Sequence, residues 1–166
     1  MNKKGSSEIR LLLEGLDAAF DRRAWHGPNL RGSLRGVTAR RAAWRPARNR
    51  HNIWELAVHC AYWKYAVWRR LTGEKRGSFP LEGSSWFERP SAAPEKMWRE
   101  DLALLDEQHQ RLRGAVASLA PGRLHGRLRG RGWTPAQEIA GVAAHDLYHT
   151  GQIRLLKKLS GTRKNL

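Results

Sequence analysis

Pro135-Ala-Gln-Glu-Ile-Ala-Gly-Val-Ala-Ala-His145-Asp-Leu-Tyr-His149-Thr-Gly-Gln-Ile-Arg-Leu-Leu-Lys-Lys-Leu159 is the stretch on which the fold turns. Thr134, just ahead of it, is a good N-cap. Pro135 suits the first helical position, and Gln137 completes a capping box. Val142, His145, His149, Ile153 and Leu156 recur at steps of three and four, which places them on one stripe of an α-helix. The stretch reads as a helix over 135–159, stopped by Gly161, with two histidines on its inner face.

Three more segments read the same way. Over 7–25, Ile9, Leu12, Leu13, Leu16, Ala19 and Phe20 form an apolar stripe. Ser7 is its expected N-cap, and His26-Gly27-Pro28 its stop. Over 53–72, Asn52 with Glu55 makes a capping-box pattern, Leu56, His59, Cys60, Trp63 and Val67 share a face, and Gly73 ends the run. Over 94–119, Trp98, Leu102, Leu105, His109, Leu112, Val116 and Leu119 step by fours and threes, the pattern of a bundle seam. Thr38 to Trp44 reads as a short helical turn. No strand-like alternation persists, so the fold class is all-α, one domain over 1–166.

The connections are long. Residues 27–51 are rich in arginine, and 73–93 in Gly, Ser and Pro with Phe79, Trp86 and Phe87. Those aromatics predict that the second connection packs on the body. The net charge is +16, and no acid occurs between Asp21 and Glu55. Such a balance suits contact with nucleic acid. It equally suits a solvated arginine surface with Trp25, Trp44 and Trp54 as anchors, the favoured alternative. Cys60 is the single cysteine, which excludes an intrachain disulfide and fits a reducing cytoplasm. No apolar run approaches ~20 residues, so no membrane span is expected.

His145 and His149, four apart on a helix, can reach one divalent cation. They can also be ordinary core histidines. His59, inward on the second helix, is the best third candidate, since bundle cores build metal sites from facing helices. Three imidazoles would leave room for water or substrate and suit Zn, Ni, Cu or Fe alike. His145-Asp146-Leu147-Tyr148-His149 is also similar to the zinc-protease His-Glu-x-x-His pattern, but Asp146 is a methylene short and no third ligand follows. Asp146 is expected to be exposed or to orient a ligand. His26, Trp63, Trp86 and Gln152 are candidates for a pocket around the site. His51, His109 and His125 carry little signal, and Cys60 reads as a small buried residue.

Ala24-Trp25-His26-Gly27-Pro28-Asn29-Leu30, Ile53-Trp54-Glu55-Leu56-Ala57-Val58-His59 with Tyr62-Trp63-Lys64, and His145 through Ile153 resemble the DinB-like (DinB/YfiT) superfamily. The resemblance implies a four-helix bundle, up-down-down-up, with a long crossover between the second and third helices. It implies a metal held by His59, His145 and His149. It also implies thiol-dependent S-transfer or isomerisation with a low-molecular-weight thiol, and a homodimer. Three function classes follow: a metal-dependent enzyme of the transferase or hydrolase type, a binding protein whose arginine-rich loops meet nucleic acid around a structural metal, and a stress-linked bundle without turnover.

Overall fold

In the computed structural model, which describes residues 3–90, 92, 94–128 and 132–162, every regular element is helical. They are α1 (Lys3–Phe20), α2 (Leu30–Leu34), α3 (Ala39–Ala43), α4 (Ile53–Thr72), α5 (Glu95–Ala117) and α6 (Pro135–Thr162), with a 3₁₀ turn at Pro121–Arg123. The four long helices touch in a ring: α1 on α6, α6 on α4, α4 on α5, and α5 on α1. No helix among the described residues is long and apolar enough to cross a membrane.

Local chemistry sets the ends of the two helices that carry the site. At the start of α4, Glu55 N donates to Asn52 Oδ1 at 2.8 Å, and Asn52 N donates to Glu55 Oε2 at 3.4 Å, which closes the capping box. At its end Gly73 takes a left-handed φ of 82°, and both Gly73 N and Glu74 N bond to the Arg69 carbonyl. The α6 box is equally reciprocal: Gln137 N to Thr134 Oγ1 at 3.3 Å and Thr134 N to Gln137 Oε1 at 2.9 Å.

Several boundaries differ from the sequence expectation. The first helix starts at Lys3, so Ser7 lies inside it and is not its N-cap. It ends at Phe20, short of 25, because nothing buries the residues beyond: Trp25 is 98% exposed. Arg22 N turns back to the Asp17 carbonyl, and the Asn29 amide takes the Arg22 carbonyl at 2.8 Å. Gly161 does not stop α6, which runs on to Thr162. The short turn at 38–44 is α3, capped by Thr38. The connection around it is not only a solvated surface, since α2 and α3 bury Leu30, Leu34, Ala39 and Ala42 in the core.

Apolar packing divides into two clusters. One gathers Trp54, Leu56, Trp98, Leu105 and Ile153 with the α2–α3 residues; the other gathers Leu16, Leu112, Val116, Ile139 and Val142. Both buried indoles are satisfied: Trp54 Nε1 donates to Asp101 at 2.6 Å, and Trp98 Nε1 to the Val37 carbonyl at 2.7 Å. Phe79 and Leu81 of the crossover pack on the first cluster and Phe87 belongs to it, as its aromatics predicted.

Candidate metal centre

His59 comes from the middle of α4, and His145 and His149 from adjacent turns of α6. His59 and His149 are 5% and 4% exposed; His145 is half-buried. Their Nε2 atoms converge. His145 Nε2 lies 3.2 Å from His59 Nε2 and 3.1 Å from His149 Nε2.

The outer nitrogens decide where the protons are. His59 Nδ1 is 2.7 Å from the Ser85 carbonyl, which only accepts, so Nδ1 carries the proton. His149 Nδ1 donates likewise to Gln152 Oε1 at 2.7 Å, while Gln152 Nε2 donates to the Tyr148 hydroxyl at 3.3 Å. In the neutral rings both Nε2 atoms are therefore bare lone pairs. They face His145 Nε2, which has at most one proton to offer. At least one lone pair is left with no proton to accept, and a cation among the three nitrogens resolves this. Nitrogens at ~2.0–2.1 Å around a tetrahedral ion stand roughly 3.3 Å apart, close to the two separations found. The donor set fits a divalent metal.

Burial keeps the rings neutral. It pulls His59 down to about 4, against the Ser85 carbonyl, which favours the charged ring. It pulls His145 down to about 3, helped by the neighbouring imidazoles and Lys64. It lowers His149 too, with Gln152 opposing. Neutral imidazole is the form that ligates.

A stack of rings holds His59 from outside. Trp86 lies flat on His59 with centroids 3.7 Å apart at 8°, and His51 lies flat on the other face of Trp86 at 3.7 Å and 6°. His51 Nδ1 reaches Glu55 Oε2 at 3.1 Å, and Arg45 grips both oxygens of that carboxyl. Although burial works the other way, Arg45 and His51 hold Glu55 below the usual carboxylate range. Thus the residue that caps α4 also anchors the wall of the site. His51 and Ser85 were missed in the sequence. They sit in loops, one acts through its backbone oxygen, and no periodicity marks either.

The other candidates distribute as follows. Trp63 meets His59 edge-on at 6.2 Å. Asp146 is fully buried and bonds Lys64, itself fully buried, so its expected exposure is wrong. Burial raises the Asp146 carboxyl above its usual range, and Lys64 opposes that. Tied to Lys64 in the core, Asp146 cannot serve as the base of a zinc-protease pattern. His26 is exposed and its ring meets that of Trp25. Cys60 is buried, and burial pushes its thiol well above its ordinary range.

Cavities open on both sides of the cluster. One of about 620 Å³ runs along Trp63, Val67, Arg70, Trp133 and Val142 to His145. Another of about 660 Å³ lies between His51, Leu56, Trp86 and Tyr148 and reaches His149 and Gln152. A small molecule entering from either side arrives at an imidazole of the cluster.

Among curated proteins and among solved structures, nothing matches this chain. A sequence profile described as the DinB superfamily matches residues 11–153. That span runs from α1 into α6 and contains all three converging imidazoles, so the chain belongs to the DinB superfamily.

Proposed function

We propose that this protein is a metal-dependent enzyme in which His59, His145 and His149 hold one divalent cation, and that it acts on a small molecule in the adjoining cavities. The observation that carries the reading is the facing of three Nε2 atoms, with two of the rings already committed through Nδ1 to Ser85 and Gln152. Bound there, a divalent ion supplies a Lewis acid that favours the anion of a thiol or of water near neutral pH. The protein's own residues do the rest. Ser85 and Gln152 keep the protons on the outer nitrogens and fix the ring planes. Trp63 and Trp86 pack against the His59 ring and hold it in place. The Tyr148 hydroxyl, bonded by Gln152 beside His149, stands on the wall of the second cavity.

The reaction class that accompanies this reading is S-transfer or isomerisation with a low-molecular-weight thiol, with hydrolysis as the variant in which water takes the thiol's place. The fold that accompanies it is the up-down-down-up four-helix bundle. Support for that comes from the ring of contacts among the long helices and the long α4–α5 connection.

Metal analysis of the purified protein tests the site. About one ion per chain is expected, and His149→Ala loses it. Stoichiometric metal retained in that variant sinks the assignment. Thiol conjugation assayed with and without metal then separates an enzyme from a bundle with no turnover; a metal-loaded protein inert toward every thiol acceptor pair removes the S-transfer reading.

A further inference from the structure

Away from the histidine cluster, two clefts meet at Arg154 of α6. One, about 410 Å³, lies against the α1–α2 loop and α2, with Arg22, Arg23, Arg31, Arg35 and Arg154 along it. The other, about 380 Å³, is lined by Arg41, Arg154, Lys157 and Lys158 together with Gly161. Among the described residues the second holds no acid, and the first holds only Asp21, which meets Arg22 at 3.8 Å on the surface.

The floor of these clefts is built, and part of its rim is uncommitted. Lys157 Nζ donates to the carbonyls of Ser33 at 2.7 Å and Arg35 at 2.9 Å. Arg41 bonds the Lys157 carbonyl and, at 3.0 Å, Ser160 Oγ. These bonds tie α2 and α3 to the end of α6. Arg31 is taken by Asp106 at 2.8 Å. The side chains of Arg23, Arg35 and Arg154 make no ion pair or hydrogen bond among the described residues. Cations are crowded here: burial lowers the pKa of Lys157, and the charges of Arg41 and Arg154 lower it further.

Trp25 stands on the same loop, between residues that line the first cleft, and is 98% exposed. Among the described residues its ring meets that of His26, at 6.3 Å. An indole left in water beside a row of free guanidinium groups is the pairing that takes a polyanion carrying flat rings. Phosphates lie along the cations, and a base stacks on the aromatic face. A duplex keeps its bases stacked inside and cannot offer one. A lipid surface is flat, whereas these cations line concave clefts.

We propose that this cleft, on a face separate from the histidine cluster, binds single-stranded nucleic acid, with phosphates on Arg23, Arg35 and Arg154 and an unstacked base on Trp25. The proposal stands or falls independently of the metal reading.

The test uses the whole protein and fluorescent oligothymidylate and oligouridylate of about twenty nucleotides, followed by anisotropy from ~50 to ~200 mM salt. Affinity is expected to fall linearly in log–log form. The triple variant Arg23→Glu, Arg35→Glu, Arg154→Glu should lose at least about 100-fold in affinity and reduce the salt slope by roughly 2, three phosphates at ~0.7 each. Trp25→Ala should weaken binding roughly tenfold and leave the slope unchanged. Trp25 is almost wholly exposed, so that variant keeps the fold and stays informative if the triple reversal fails to fold. No binding at low salt overturns the proposal. So does equal affinity for a duplex with no effect of Trp25→Ala, or tighter binding of phosphatidylserine vesicles than of the oligonucleotides through the same arginines.

Discussion

His109 lies flat against Phe20, ring centroids 3.7 Å apart, and is 1% exposed. Burial, helped by Lys64, pulls its pKa down to about 3, against the pull of Asp17. Below pH 6.5 the unfolded chain takes up a proton here that the folded chain refuses, so stability is whole above that pH and drains away as pH falls toward 3. The loss is about 1.4 kcal/mol per pH unit. His109→Gln should flatten the slope of unfolding free energy between those limits by that amount, read from urea melts at stepped pH. An unchanged slope would mean the ring is protonated in the fold. The sequence placed His109 correctly on a seam but could not show what met it. The Lys64–Asp146 pair was hidden for the same reason: its partners lie 82 positions apart, and only the folded core joins them. Both charges are fully buried, a costly arrangement for either one alone.

At the scale of elements, legibility followed local chemistry. The bounds of α4 were readable because Asn52, Glu55 and Gly73 mark both ends. The end of α1 was not, since Ala24 follows Phe20 at helical spacing in sequence while the fold leaves Trp25 in water. The five residues of α2 are too few to show a period. The three converging histidines were legible because two shared a stripe and a third faced inward. Trp86 was legible as a pocket aromatic, but His51 and Ser85 were not, because both come from loops and no period marks them. The support these residues give is testable. Trp86→Ala removes the wall pressed on His59, and it should weaken metal binding by about 10-fold or more, the range seen when outer-shell partners of a ligand are lost. Competition with a chromogenic chelator measures it. An unchanged affinity would make Trp86 a bystander.

At the scale of the molecule, the cluster joins α4 to α6 across the bundle, so an ion bound there acts on the whole fold. A ligand that binds only the folded state adds RT ln(1 + [L]/Kd), about 2.7 kcal/mol at a hundredfold excess over Kd. Metal-loaded protein should therefore melt several degrees above chelator-treated protein. The difference should vanish when His145 and His149 are both replaced by alanine. A melting point indifferent to chelator in the native sequence would argue against a bound ion. The net charge of +16 pulls the other way, through self-repulsion, and salt should relieve it in both forms alike.

The crossover from α4 to α5 is fastened unevenly. Glu74 to Gly77 are exposed, and Gly73 and Gly77 both take positive φ. From there on the chain is pinned in sequence: Ser78 to the Tyr65 hydroxyl, Phe79 to the core, Ser85 to His59, Phe87 to the core again. The consequence is one of length. Inserted residues near Gly77 can loop outward unnoticed, whereas a single residue added between Ser85 and Phe87 would part Trp86 from the imidazole it covers. Drift in loop length among related chains, and any tag or reporter spliced into this one, should therefore gather at the first few positions after α4 and spare Ser85 to Phe87.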